Sequence, residues 1–450
     1  MQRVDGRQRR QLSQLRQRAL AAGLLAATLS TAACGDAPST GAPTSAPLST
    51  TSSAAPSAPV VVADLPGRVV VLVDGQGIEV RTPDGSTLVV LDPVDDALPA
   101  QQPTWSPDGR RMAWASFDDD GRPAVRIDRA DDDGTDGSVV HSLPTAPFYF
   151  QWSPDGSRLV WMGAGRSRVV GGIVDVDVDV DVDVDVDVDV ADWPDAIASG
   201  GTLFVDWLPD STGLVTHSGQ AVLELVLPGS EPVVLVRSTG PFGAPEVLPD
   251  GRVLVAGAIE ESGQVHVAWG RELESARIPL ELVDTADGAR TPVAAVEGTL
   301  VRFDVDPTGS RAAAWTVGSN GNKPLVVVDL RTGSTERLLE DGALGAFWSP
   351  DGSALALLRR VDADHLAWGV WRGGATDWLE PFEPTSELTR GYLPFLDQYA
   401  RSVTPWSPDG RGMVHTLAGA DGPTVVVQPV DPVGERVPVG RGDAAWWSPG

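Results

Sequence analysis

Five histidines, His141, His217, His266, His365 and His415, are scattered through the chain. None stands in a His-x-x-x-His pair and no Gly-x-Ser-x-Gly elbow occurs, so neither a zinc-protease helix nor a hydrolase nucleophile is spelled out. Three carboxylates draw more interest. Asp206, Glu246 and Asp304 each stand three residues ahead of a proline, in segments that otherwise look alike. If a repeat brings these positions together, they form an acidic wall, and a lyase or glycosidase needs a pair of acids held at a set distance. The third group is the stretch 375–402, which holds Trp378, Tyr392, Phe395, Asp397, Gln398, Tyr399 and Arg401, and two of the chain's 3 tyrosines. Tyr and Arg concentrate where proteins meet ligands and partners. Either these residues bind, or they pack their own loop down.

Composition narrows the choices. The formal charge is −28 and Lys323 is the sole lysine, so the clustered cations that nucleic-acid phosphates require are missing. The single cysteine, Cys34, rules out an internal disulfide framework and any multi-cysteine metal centre. With 49 Gly and 37 Pro among 450 residues, turns are abundant, which suits many short strands and not a helical bundle. The acidic turn Asp131-Asp132-Asp133-Gly134 lacks the ligand spacing of a calcium hand and reads as a turn. No cofactor is expected.

Residues 1–18 carry six arginines against Asp5, and an apolar run follows from Ala19 to Leu29. That run is too short for a stable transmembrane helix and fits the core of a signal peptide. It ends in Ser30-Thr31-Ala32-Ala33-Cys34. Small residues ahead of a cysteine resemble the lipobox of bacterial lipoproteins, although Thr31 stands where that family usually has Leu. The resemblance implies a signal peptide over 1–33 and a diacylglycerol on Cys34. Ordinary secretion is the alternative. Ser, Thr, Ala, Pro and Gly dominate the following stretch, so 34–63 is expected to be the lipidated cysteine and a disordered tether.

The rest of the chain repeats one motif. Trp105-Ser106-Pro107-Asp108-Gly109 returns at Trp152, Trp348 and Trp406 as the same pentapeptide. Degenerate copies open at Trp207, Val247 and Val305, and a truncated one at Trp447. Successive copies lie 40 to 58 residues apart, a period of several strands each. Ser, Pro and Gly at these positions fit a type I turn, with Gly in the left-handed conformation. An alternating strand follows each turn, and the tryptophan is expected to fill the space between neighbouring sheets. These repeats resemble the TolB-type β-propeller over 64–450. What the resemblance implies is a role in binding partners.

Within the first full repeat the strands are predicted near 102–106, 110–116, 124–129 and 138–143. Seven motifs open seven blades. Three strands near 68–73, 78–82 and 87–91 then join a last strand near 443–447 to make an eighth. Seven blades with an unpaired N-terminal sheet is the alternative. Successive blades place Asp206, Glu246 and Asp304 in one register facing the central channel, and the loop 375–402 is expected to bring Asp397, Gln398, Tyr399 and Arg401 to the channel rim. From Val174 to Val190 the chain alternates Val and Asp strictly. Fully extended, that tract outruns any blade strand, so part of it is expected to serve as strand and the remainder to be solvated.

Three functions fit these features. The leading one is a lipid-anchored extracytoplasmic binding or scaffold module, monomeric, for an envelope protein, peptide or glycan. A small-molecule or ion sensor using the channel is the second. A channel-based lyase or hydrolase is the third, with no catalytic constellation visible.

Overall fold

The computed structural model describes residues 60–449 except 74–76, 92–100, 119, 131–138, 166–168, 177–196, 199–202, 219–220, 241, 262–263, 267–276, 299, 319–320 and 341. The signal peptide, Cys34 and most of the tether lie outside the described residues, as does the Val-Asp tract from 177 onward. Residues 61–450 form one compact unit. A 3₁₀ turn at Val62–Asp64 opens it, with Val62 and Leu65 buried. Among the described residues no helix is long and apolar enough to cross a membrane.

Eight antiparallel sheets make an eight-bladed β-propeller. Blade 1 joins Val69–Val73, Gly77–Arg81 and Thr87–Leu91 to the final strand, Ala444–Trp447. Blade 2 runs through Gln101–Trp105, Arg111–Phe117, Pro123–Arg129 and Val139–Ser142, close to the ranges predicted from sequence. Blades 3, 4, 6 and 7 open on the inner strands Pro147–Trp152, Leu203–Trp207, Leu300–Val305 and Ala343–Trp348. Blade 5 opens on the two-residue strand Glu246–Val247 and carries a small hairpin of Ile259–Glu261 and Gln264–His266. In blade 3, Val174 and Asp175 end the strand Val169–Asp175, so the head of the Val-Asp tract is strand.

Blade 8 departs from the four-strand plan. It has Gly412–Leu417, Thr424–Pro429 and Val437–Arg441, while its inner edge is reduced to the single bridge between Trp406 and Met413. Pro405 has no N–H to give a ladder there, though its carbonyl still accepts from Val414 N at 2.8 Å.

The repeated motif stitches each blade to the next. Within the turn, Ser106 Oγ donates to Asp108 Oδ1 at 2.7 Å and accepts from Arg111 N at 2.9 Å. Ser153, Ser349 and Ser407 repeat both bonds. The glycine takes φ of 65° to 72° in all four full copies; in the degenerate copy at Trp207, Ser211 holds the same conformation at 61°. The motif tryptophans wedge between sheets, and four of them reach back by the indole. Trp152 Nε1 donates to Thr104 O, Trp207 Nε1 to Gln151 O, Trp348 Nε1 to Asp304 O and Trp406 Nε1 to Phe347 O, at 2.9 to 3.3 Å.

An arginine after the turn adds a third link that the pentapeptide does not contain. Arg68 and Arg311 lie over Trp105 and Trp348 of the following blade, at 5.2 and 4.5 Å from the ring centroids. The same guanidinium groups donate to Gly109 O and Gly352 O at the next turn, each at 2.5 Å.

Candidate functional site

The connection from blade 7 to blade 8 fills the centre of the ring. Residues 385–402 fold into three short helical pieces, Leu388–Tyr392, Leu393–Phe395 and Leu396–Tyr399. Sequence alone places Asp397, Gln398, Tyr399 and Arg401 on the rim. The structure buries the first three and leaves 5% of the Arg401 side chain accessible. The physical reason is a plug that is amphipathic in an unusual way. Its buried face sets polar Asp397 and Gln398 beside apolar Leu388, Tyr392 and Leu396, the polar groups meeting open backbone edges of the surrounding inner strands.

Contacts of the plug run round most of the ring. Gln398 accepts from Val205 N at 3.0 Å and donates to Val205 O at 2.9 Å, in blade 4. In blade 3, Tyr399 Oη donates to Phe148 O at 2.6 Å, Tyr149 Oη donates to Gln398 O at 3.1 Å, and Ser402 Oγ reaches Phe150 O. Asp397 accepts from Ala244 N in blade 5 at 3.0 Å and faces Arg302 Nε of blade 6 at 3.7 Å. Arg302 also donates to Leu393 O and Pro394 O. Leu396 sits on Gly345 of blade 7, where an added Cβ would lie 2.1 Å from Leu396 Cδ2. Tyr392 packs on Tyr399 and on Trp446 of blade 1, with centroids 4.8 and 4.9 Å apart. Phe395 is half-buried against Phe204 at 6.5 Å.

The three register-matched carboxylates do converge, and Arg401 occupies their midst. Arg401 Nη2 meets Glu246 Oε2 at 3.2 Å and Nε lies 3.7 Å from Asp206 Oδ2. Its guanidinium also donates to Pro245 O twice and to Asp397 O. Each carboxylate accepts a backbone N–H from the next blade. Asp206 takes Val247 N at 2.7 Å, Glu246 takes Val305 N, and Asp304 takes Trp348 N at 3.0 Å. Gln151 Nε2, in the same register one blade earlier, donates to Asp206 Oδ1 at 2.7 Å. The acidic wall is therefore a set of inter-blade clamps around an internal cation.

Burial dominates the electrostatics here. It pushes Asp206, Glu246 and Asp304 above the usual carboxylate range, more strongly than Arg401 pulls them down. Burial also opposes the charge on Arg401, yet Glu246, Asp206 and Asp304 together outweigh it and keep the guanidinium ionised. Three carboxylates and one guanidinium in a dry site favour retention of a proton by the acids near neutral pH. Among the described residues no His, Cys, Asp or Glu cluster is arranged to hold a metal ion.

Three buried histidines, His141, His217 and His415, went unassigned from sequence because nothing local marks them. His217 bonds Gly243 O at 2.9 Å and Thr239 Oγ1 at 3.0 Å and stacks on Phe242, with centroids 3.9 Å apart. His415 packs against Phe382 at 5.0 Å. Burial lowers these last two, His217 to about 4 and His415 to about 3, so each is neutral at neutral pH.

No family profile and no curated protein matches the sequence. Solved structures do. Dihydro-heme d1 dehydrogenase NirN, in complex with DHE, is similar at a TM-score of 0.52 and 16% identity, covering 86% of this chain and 76% of that one. An oligogalacturonate lyase in complex with manganese gives 0.46 and 16%, covering 74% and 84%. TolB from Acinetobacter baumannii gives 0.36 and 14%, covering 76% and 79%. At these identities the likeness speaks to the propeller fold alone.

Proposed function

We propose that this chain is a lipid-anchored extracytoplasmic propeller that serves as a binding or scaffold module for a protein, peptide or glycan of the cell envelope. The observation that carries this reading is the plug. The channel that a small-molecule sensor or a channel-based lyase would use is filled by residues 385–402, and its acids are already engaged with Arg401. Recognition then falls to a surface.

The crest of the plug is the surface we favour. Asp397, Gln398, Tyr399 and Arg401 fix its height and orientation from below. In the same segment Arg390 is exposed, and Leu393, Pro394 and Phe395 are half-buried. A rigid loop on a rigid ring offers a preorganised contact, which limits the ordering cost of association. Cys34 and the tether would give this ring a typical reach of about 30 Å from the membrane, at roughly 5–6 Å × √n for a flexible chain.

The test is capture from detergent-solubilised envelope, comparing the wild type with Phe395→Ala/Arg390→Ala. Wild type retains a partner and the double variant loses it while keeping the wild-type circular dichroism, with a modestly lower melting temperature from the lost packing of Phe395 on Phe204. Equal capture by both places the binding face elsewhere. In parallel, Cys34→Ala releases the protein from the membrane fraction; continued retention refutes the anchor.

A further inference from the structure

A cavity lies between the outer strands of blades 5 and 6. It holds about 190 Å³, measured as the space open to the centre of a water molecule. One water needs about 10–15 Å³ on that measure, so there is room for a small organic molecule. On one side run Arg277–Val283 and Arg290–Glu297, the outer pair of blade 5. On the other run Arg311–Gly318, Gly321–Asp329 and Thr335–Leu339 of blade 6.

Strand register gathers charged and polar groups on this wall. Arg277 stands opposite Glu297 in blade 5, and Arg337 stands opposite Val326 in blade 6. Thr335, two residues before Arg337, shares its face of the sheet. All five border the cavity, so each blade brings one guanidinium to the same space. Val326 and Pro324 add apolar wall beside them.

The donors here are largely unspent. Arg277 and the Thr335 hydroxyl have no polar partner among the described residues. Arg337 gives Nη1 to Glu340 Oε2 at 3.1 Å, in an exposed pair, and keeps its other N–H groups. Thr316 Oγ1, by contrast, already donates to Glu297 O at 2.8 Å.

These groups select the occupant by charge. A guanidinium fork matches a carboxylate with two parallel hydrogen bonds, and a cleft lined by cations concentrates anions. One negative charge suits the site best. A dianion sets its second charge against Glu297, on the wall, and against Glu340, which shares Arg337. A cation is repelled by both guanidinium groups, and a neutral solute leaves both forks unused. The apolar wall gains from a ligand body that displaces water from it.

We propose that the cleft between blades 5 and 6 binds a small monocarboxylate, its carboxylate on Arg277 and Thr335 and its apolar body against Val326 and Pro324. Arg337 supplies attraction from the blade 6 side. The site lies among outer strands, away from the channel that the plug fills, and does not depend on the crest as a partner surface.

Calorimetric titration of the full chain with hexanoate tests it, with 1-hexanol and inorganic phosphate as controls. Hexanoate is expected to bind one equivalent in the millimolar range, and both controls at least tenfold more weakly. Arg277→Gln is expected to weaken hexanoate about tenfold, which is 1.4 kcal/mol, and Arg337→Gln severalfold. Both arginines are exposed, so both variants keep the wild-type circular dichroism. Hexanol binding as tightly as hexanoate reduces the site to an apolar groove and overturns the proposal. Phosphate binding as tightly reduces it to a general anion patch and overturns it too. So does hexanoate binding that is absent, or that is unchanged in Arg277→Gln.

Discussion

Gln398 pairs through its carboxamide with both backbone groups of Val205, accepting at 3.0 Å and donating at 2.9 Å across 193 residues of chain. A side chain here does what a neighbouring strand does at a sheet edge. Val205 belongs to an inner strand whose other edge is already paired with Thr216, so the channel-facing edge is left without a ladder. The plug supplies one, residue by residue. This explains why a segment so polar on its inner side is stable in the middle of the ring.

Replacing Gln398 by Leu keeps the volume but removes both bonds. The Val205 N–H and C=O are then buried without partners, and the expected loss is about 2–4 kcal/mol. Chemical denaturation measures it. Far-ultraviolet circular dichroism stays that of the wild type, because no blade ladder is touched. A loss below half a kcal/mol means that the plug is not seated against blade 4.

The buried acids give a pH dependence with a definite sign. Burial pushes Glu246 up to about 8 and Asp304 to about 7. A raised acid binds its proton more tightly in the folded state, so its stabilisation is complete below the unfolded value and is lost as pH rises through the folded one. The histidines oppose this at lower pH. His217 and His415 are depressed to about 4 and about 3, so they lose stability as pH falls below the ordinary histidine value near 6.5. Stability is therefore expected to peak near pH 6 and to fall by on the order of 1–3 kcal/mol between pH 6.5 and 8.5. Glu246→Gln, which keeps the acid's shape without its titration, flattens the alkaline limb. Denaturant midpoints taken across this range check it. A wild type whose stability rises steadily to pH 8.5 rules out the proton-retaining cluster.

Arg311 tests the inter-blade stitch. Its guanidinium meets Asp306 Oδ2 at 3.0 Å, where the carboxylate is 1% exposed, and it also lies over Trp348 and donates to Gly352 O. Arg311→Ala strips all three and leaves a largely buried carboxylate without its cation. The expected cost is about 2–4 kcal/mol, the range for breaking a desolvated pair plus a cation–π contact. Arg311→Lys restores only part of it, because an ammonium cannot make the forked contact. Equal stability of the Lys variant and the wild type removes the stacking and the fork from the account.

The ring was legible from sequence because its information is local and repeated. Each turn is set by five adjacent residues, and four full, three degenerate and one truncated copy, with the terminal strands, give the blade count and even the strand limits in blade 2. The register of Asp206, Glu246 and Asp304 could be read for the same reason. The destination of Arg401 could not. Its partners lie 155 residues and more away, and no periodicity marks a loop that turns inward. The fourth strand expected of blade 8 failed on Pro405. The arginine after the turn was hidden because its offset varies, from Gly67-Arg68 to Gly309-Ser310-Arg311.

Closure of the ring makes the last prediction. Ala444–Trp447 pairs antiparallel with Val69–Val73, setting Trp447 opposite Val69 and Trp446 opposite Val70. Trp447 Nε1 donates to Pro66 O at 2.9 Å, while Ser448 bonds Arg68 through both its backbone and its hydroxyl. Blade 1 has no other inner strand, so deleting 441–450 exposes the edge of Val69–Val73, a template for pairing with another chain. It also uncovers apolar surface that the two indoles bury, worth roughly 1.5–3 kcal/mol for each large side chain. The deletion is expected to lower Tm by several degrees, since a domain this size loses about 1–2 °C per kcal/mol, and to shift the chain to oligomers in size-exclusion chromatography. A gentler variant separates closure from gross loss of chain. Gly67 sits at φ 86°, and a Cβ there would lie 2.7 Å from Trp447 Nε1 and 2.9 Å from Pro408. Gly67→Ala should therefore destabilise by about 1–3 kcal/mol through backbone strain and crowding at the seam, with the protein still monomeric. A deletion variant that stays monomeric at the wild-type Tm would show that the seam between the two ends contributes nothing to holding the eight blades together.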